Sequence, residues 1–324
     1  MSETEARAFW IVEPGRGEIR DEVLPSAGRD DVIVRTMFSG ISRGTEALVF
    51  SGRVPASEYE RMRAPFQCGE FPAPIKYGYA SVGRVEHGPS SLQGRNVFVL
   101  YPHQSKYVVP ARSAYVLPDR VPSNRAILAA NLETAINGLW DARPHVGDRV
   151  AVIGAGTVGC LVAWLASRIA GCEVQLVDVN PHRHAIATTL GVSFAAPGNA
   201  AGDADVVVHA SGSAAGLDLA LRLAAFETHI VEMSWYGSDS VPLALGQAFH
   251  SKRLSLISSQ VGQVATSQRA RWDHRRRMEL ALSMLTESAL DALITGESEF
   301  EAIPTVMAQL AHAPGDTICH RIRY

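Results

Sequence analysis

Three glycines and one acid carry the clearest chemistry in this 324-residue chain. Gly154, Gly156 and Gly159 stand at the spacing G-x-G-x-x-G, and Asp178 follows further along the chain. The first glycine allows a tight turn, the second lets the backbone approach a pyrophosphate, and the third lets a helix pack closely on a strand. Helix N–H groups that lack an internal partner, beginning at Thr157 and Val158, would hold the phosphates with help from the helix dipole. Asp178 would accept hydrogen bonds from the adenosine ribose hydroxyls. The same carboxylate would repel a 2′-phosphate, and Val179-Asn180-Pro181 supply no cation, so the pattern favours NAD over NADP. Arg183 is within reach of the adenosine side; its ordinary alternative is a solvated helix position. His182 and His184 are two apart on a helix, point to different faces and make a poor metal pair.

The elements around these residues are legible from periodicity. Arg149–Ile153 is an apolar run of strand length. Behind the glycines, apolar residues recur at Val158, Leu161, Val162, Leu165 and Ile169, at helical spacing, and Gly171 supplies a stop. The uncharged stretch 150–167 thus reads as strand, turn and helix rather than a membrane span. Glu173–Val177 forms a second strand. Asn180 as N-cap and Pro181 in the first turn start a helix that runs to Leu190 and ends at Gly191. Further strands are expected near Val192–Ala195, Asp205–His209, Thr228–Met233 and Leu254–Ser258. Strands alternating with helices imply a doubly wound parallel sheet, so the fold class is α/β.

Bulk properties narrow the field. Hydrophobic residues make up 47% and charged ones 19%, which suits a globular chain with a large core. Thirty Lys and Arg face 33 Asp and Glu, so no global charge draws the chain to nucleic acid or a membrane surface. Glu3, Glu5, Glu13 and Glu18 crowd the first twenty residues without an apolar core, and no signal peptide is expected. Cys68, Cys160, Cys172 and Cys319 form neither a C-x-x-C pair nor a metal-type cluster, and a reducing cytoplasm is the expected location. "RARWDHRRR", Arg269–Arg277, is the one dense basic run. It opens an amphipathic helix through Met278, Ala281, Leu282 and Leu285 and reads as a solvated face, with an acidic substrate or a subunit contact as the sharper alternatives.

Several segments together resemble the medium-chain dehydrogenase/reductase superfamily: "RPHVGDRVAVIGAGTVG", "PIKYGYASVGRVE", "NLETAINGLWDA", and Val97–Leu100 followed by Tyr107–Pro110. The resemblance covers nearly the whole chain. It implies a GroES-like β-rich domain over 1–122, a Rossmann domain over 123–261 and a C-terminal return over 262–324. The departures from the family pattern are informative. Where zinc-dependent members place their catalytic ligands, this chain has Ser42 or Arg43, then Tyr79-Ala80 for the His-Glu pair, then Ala130. Zinc requires N, S or carboxylate ligands. The four-cysteine lobe of a structural zinc is also missing. The chain therefore resembles a zinc-free branch, near the bacteriochlorophyllide hydroxyethyl dehydrogenase-like members.

The resemblance also supplies roles. Tyr79 takes the lost histidine position and is the candidate donor to a substrate oxygen, with space-filling as the alternative. Ser42 is a second candidate donor. Arg43 matches a pyrophosphate contact, and its alternative is a surface ion pair with Glu46. Thr134 matches a position beside the nicotinamide, and Asn131 and Glu133 are lesser candidates for substrate contact. His103 is a candidate proton carrier or a surface residue. Trp235 and Tyr236 follow the fifth strand at the edge where ligands bind. Three functions are weighed: a zinc-independent NAD(P)-dependent oxidoreductase for a secondary alcohol or its ketone, an enoyl or quinone reductase, and a nucleotide-binding protein without turnover. The expected partners are a small-molecule substrate and a second copy of the chain as a homodimer, with no nucleic acid and no membrane.

Overall fold

The computed structural model describes residues 5–324. The chain divides into two compact units: one runs to Ala130 and resumes at Leu282, the other spans Asn131–Ala281. The sequence expectation placed these passages near residues 122 and 261. The first passage lies inside helix Ala129–Ala142 and the second inside helix His274–Met284. Both crossings fall within continuous helices, where no Pro- or Gly-rich linker marks them.

The first unit is β-rich. Strands Glu5–Glu13 and Arg16–Val23 form an antiparallel hairpin, which Ile75–Lys76 and Cys68–Gly69 extend to a four-stranded sheet. A seven-stranded sheet is built around Asp31–Ile41, which pairs with Ser81–His87, Lys106–Pro110 and Cys319–Arg323. Val32 and Val34 on the central strand turn inward, as strand alternation requires, and meet Val85, Val97, Val99, Tyr107 and Val109 in one apolar cluster. Residues Arg43–Phe50 form the helix that follows the central strand.

The second unit is a six-stranded, wholly parallel sheet of Arg149–Ile153, Glu173–Val177, Ser193–Ala195, Ala204–His209, Ala224–Glu232 and Ser255–Ser258. In space the order is third, second, first, fourth, fifth, sixth. This is the doubly wound arrangement expected from the sequence, in which the order reverses between the first and fourth strands. Its central strands are buried on both faces, with Ala151, Ile153, Val207 and Ile230 in one cluster with Leu217 and Leu221 of helix Ala214–Leu223.

Local differences from the sequence reading have physical causes. The helix expected to start at Asn180 starts at Arg183, because the Asn180 side chain caps a preceding turn by accepting the His182 N–H at 3.0 Å. The glycine helix ends at Ala166 rather than near Ile169, and the chain turns through Gly171 in the left-handed region. Arg269–Asp273 precede helix His274–Met284 instead of belonging to it. Among the described residues no helix is long and apolar enough to cross a membrane.

Candidate functional site

The glycine-rich turn of the second unit has the geometry its sequence requires. Gly154 has φ +105°, and a Cβ there would lie 2.6 Å from Ser211 Cα. A Cβ on Gly159 would collide with the Gly154 carbonyl oxygen, so this position fixes how closely helix Thr157–Ala166 sits on its strand. A Cβ on Gly156 would meet nothing within 4 Å, which leaves open space over the start of the helix. Two glycines serve the protein's own packing, and the third clears room for a ligand. A dinucleotide pyrophosphate fits this cradle: the space over Gly156 is open, and the start of a helix favours an anion.

Asp178 directly follows the second strand and is partly exposed. Its Oδ2 accepts the Ala155 N–H at 2.6 Å and its Oδ1 the Asn180 N–H at 2.8 Å. The acid is thus locked to the glycine-rich turn, and each carboxylate oxygen keeps a further lone pair for a ribose hydroxyl. Arg183 is not the solvated helix residue of the ordinary alternative: it is 5% exposed. Burial pushes the Cys160 thiol up to about 12, against the pull of the Arg183 charge and with the push of Asp178. Arg183 therefore lies inside the unit, near enough to Cys160 for its charge to act there. His182 and His184 are both exposed.

In the first unit, Tyr79 and Ser42 come together. The Tyr79 hydroxyl hydrogen-bonds with Ser42 and Thr45. Burial, followed by the Glu46 charge, pushes the phenol well above its ordinary value, and the two hydroxyls offset only part of that. Tyr79 is therefore a neutral donor at any ordinary pH. Its ring meets Tyr77 edge-on at 6.1 Å.

Sequence reasoning missed the centre of this region. Glu46, only 2% exposed, accepts the Ser42 backbone N–H at 2.8 Å through Oε1. Its Oε2 is 2.7 Å from His103 Nε2. His103 is 1% exposed, which rules out a surface histidine, and its Nδ1 is 2.7 Å from Ser39 Oγ. Ser39 Oγ is in turn 3.0 Å from the Tyr324 hydroxyl. With Glu46 ionised and the His103 ring neutral, one consistent direction runs through the cluster. Tyr324 donates to Ser39, Ser39 donates to His103 Nδ1, and Nε2–H donates to Glu46. Gly78 admits the imidazole: its Cβ would stand 3.0 Å from His103 Cδ2. Arg43 Nη1 donates to the Thr317 carbonyl at 3.2 Å.

Helix Ala129–Ala142 carries the remaining candidates. Thr134 is half-buried and Asn131 buried. Glu133 is committed within its own unit rather than open to substrate. Its Oε1 accepts from Arg277 Nε at 3.0 Å, and Arg277 Nη1 and Nη2 bond Asn137 Oδ1 and the Val261 carbonyl. Burial raises the Glu133 carboxyl, with Arg277 opposing. Arg277, 1% exposed, is the one member of the basic run that leaves the solvated face. The run's other arginines are exposed, and Arg276 stacks on Trp272 at 3.9 Å. The Tyr236 hydroxyl donates to Glu232 Oε2 at 3.0 Å.

The donor set at the expected zinc positions does not suit zinc. Ser42 and Tyr79 offer neutral hydroxyls and Ala130 offers nothing, where zinc takes thiolate, imidazole or carboxylate. Among the described residues no three His, Cys, Asp or Glu side chains are grouped to hold a metal ion.

No protein-family model matches the chain. It is 25% identical over 291 residues to D-guloside 3-dehydrogenase of Escherichia coli (strain K12), covering 81% of this chain and 83% of that protein. It is 33% identical over 88 residues to L-threonine 3-dehydrogenase of Deinococcus radiodurans, covering 27% of this chain and 25% of that protein. Among solved structures, L-idonate 5-dehydrogenase from Escherichia coli K-12 superposes with a TM-score of 0.80 at 15% identity, over 99% of this chain and 98% of that one. A Sinorhizobium meliloti 1021 dehydrogenase bound to NADP gives 0.79 at 18% identity, over 99% and 100%. These likenesses establish a GroES-like unit joined to a Rossmann unit. Over most of its length the chain is thus similar to alcohol-dehydrogenase-like enzymes.

Proposed function

We propose that this protein is an NAD(P)-dependent oxidoreductase that interconverts a secondary alcohol and its ketone without catalytic zinc. The observation that carries the reading is the neutral Tyr79 phenol, tied to Ser42 and Thr45 beside the buried Glu46, at a position where the family pattern calls for a metal ligand. The bound dinucleotide supplies or accepts the hydride. The protein must then stabilise charge that develops on the substrate oxygen, and a fixed donor does this mainly in the transition state. Tyr79 is the donor. Ser42 and Thr45 aim its hydroxyl, and Glu46 with His103 fixes the start of helix Arg43–Phe50 on which they stand. Thr134 helps to hold the nicotinamide. Asp178 selects NAD over NADP.

The names of the relatives support the reaction type, since D-guloside 3-dehydrogenase and L-idonate 5-dehydrogenase are named as dehydrogenases of polyhydroxylated compounds. The test is a screen of secondary alcohols, polyols and their ketones, following NADH absorbance, on protein prepared without chelators and assayed for metal. Turnover with less than about a tenth of a zinc per chain is expected, because hydroxyl ligands alone do not retain zinc. One zinc per chain, lost together with activity on chelation, overturns the zinc-free reading. Reduction of a C=C bond in preference to C=O installs the enoyl or quinone reductase instead.

A further inference from the structure

The end of the fourth parallel strand holds a polar cluster that this proposed reaction does not use. His209 is that strand's last residue, opposite Ile153 of the first strand and Glu232 of the fifth. The sheet order reverses between the first and fourth strands, and a nucleotide ligand lies in the crevice beyond their carboxyl ends. His209 is completely buried. Its Nδ1 is 2.7 Å from Glu232 Oε2, and its Nε2 is 2.6 Å from the hydroxyl of the exposed Ser211. Glu232 also accepts the Ser234 N–H at 2.7 Å and the Tyr236 hydroxyl at 3.0 Å.

With the His209 ring neutral, these contacts place its proton. Burial alone would raise the Glu232 carboxyl, but His209 and Ser234 more than offset it and hold it below its usual value. An ionised carboxylate only accepts, so His209 carries its proton on Nδ1 and donates it to Glu232. Nε2 is then a bare acceptor, and Ser211 must donate to it. Ser211 Oγ has only lone pairs left. The donors it meets are the Ser213 hydroxyl at 3.0 Å and the Ser213 N–H at 3.3 Å.

Two glycines protect this arrangement. A Cβ on Gly216 would fall on Ser211 Oγ and 2.7 Å from His209 Nε2, although the residue lies inside helix Ala214–Leu223, where alanine is favoured. Gly154 brings the glycine-rich turn against the Ser211 backbone. Serine, histidine and glutamate in this sequence of contacts also make nucleophilic serines. That chemistry needs the next backbone N–H as an oxyanion donor, and here the Gly212 N–H is spent on Ser234 Oγ at 3.0 Å.

We propose that Ser211 is a contact for a hydroxyl or amide donor of the bound dinucleotide, its acceptor sense imposed by the buried His209–Glu232 pair. This rests on the dinucleotide reading above. The ligand donor takes the place of the longer Ser213 contact. His209 and Glu232 touch no ligand and act as positioning residues.

The experiment is calorimetric titration of NADH into the wild type, Ser211→Ala, Glu232→Gln and the double variant, with ¹⁵N NMR of the His209 ring in the ligand-free proteins. Ser211→Ala should weaken binding about tenfold, the worth of one hydrogen bond. Glu232→Gln preserves shape, but its amide donates to Nδ1, moves the ring proton to Nε2 and turns that proton on Ser211. It should cost about as much, and the double variant no more than either alone, because the two act through one contact. NMR should find the Nδ1–H tautomer in the wild type and Nε2–H in Glu232→Gln. Wild-type affinity in Ser211→Ala, additive losses, or an Nε2–H wild type overturns the assignment while leaving the dinucleotide reading intact. A wild type that binds neither NADH nor NADPH overturns both.

Discussion

The dinucleotide cradle and the Tyr79 region solve their positioning problems by different means. In the cradle, function is carried by backbone: Gly154, Gly156 and Gly159 lie within six residues of one another, and their missing side chains set the turn, the open space and the helix approach. In the Tyr79 region, function is carried by side chains from five separate segments, represented by Ser39, Glu46, Tyr79, His103 and Tyr324. Ser39 and Tyr324 are 285 residues apart in sequence. The first kind of site tolerates no added atom at two positions. The second tolerates modest changes of shape but no unpaired buried charge.

The largest effect on binding is expected in the cradle. Gly159→Ala places a methyl group on the Gly154 carbonyl oxygen, so the turn must open. Overpacking of this kind costs about 1–3 kcal/mol or more, and NADH binding should be lost by calorimetry. Near-normal binding would mean that the close approach of turn and helix is dispensable.

Next comes the buried pair of the other unit. His103→Ala leaves the Glu46 carboxylate 2% exposed without its imidazole partner. Stranding a buried charge costs about 3–5 kcal/mol, readable as a shift of the denaturant midpoint at constant m-value. A loss below about 1 kcal/mol, the value typical of exposed pairs, would show that water reaches Glu46 and that the pair is not a structural anchor.

Tyr79→Phe sharpens the contrast further, since it removes one oxygen and keeps the ring. The expected loss in kcat is about 10²–10³, with NADH affinity and melting temperature nearly unchanged. Burial and the Glu46 charge hold the phenol neutral beyond its ordinary value of 10.0, so the wild-type rate should show no Tyr79-linked fall as pH rises to that value. A wild-type rate in Tyr79→Phe makes the residue a space-filler, and the same test moves to Ser42→Ala.

The smallest effect expected is on cofactor choice. Asp178→Ala should narrow or reverse a preference for NADH over NADPH of about tenfold, since one hydrogen bond to a charged group is worth about 1.5–3 kcal/mol. Tighter NADPH binding by the wild type would end the reading of Asp178 as the selector.

This contrast also explains what the sequence could disclose. The strand before Gly154, the helix after it and the acid at Asp178 are local patterns, and period and glycine spacing are enough to read them. The parallel sheet follows from alternating elements. His103 looked like loop decoration because nothing near it in sequence suggests Glu46, Ser39 or Gly78 as neighbours. Arg277 was hidden among exposed arginines, since only the fold reveals which of them points at Glu133. Glu232 and His209 end adjacent strands in register, a pairing that depends on the strand order and not on either strand alone. The one available hint was Gly216, a glycine inside a helix where no turn needs it, which signals a close neighbour.

The place of strand Cys319–Arg323 has a consequence for how the molecule is made. It pairs with the central strand Asp31–Ile41, and Tyr324 behind it completes the bond to Ser39. A ribosome works from the amino end. It finishes the uninterrupted segment Asn131–Ala281 while the β-rich unit still lacks an interior strand. The nascent chain can mature its nucleotide cradle early, yet it carries an unpaired strand edge until Cys319–Arg323 emerges. An unpaired edge of this kind invites the wrong neighbour. Its exposure lasts until Cys319–Arg323 has been made, so slow translation of residues 282–323 should favour aggregation over closure.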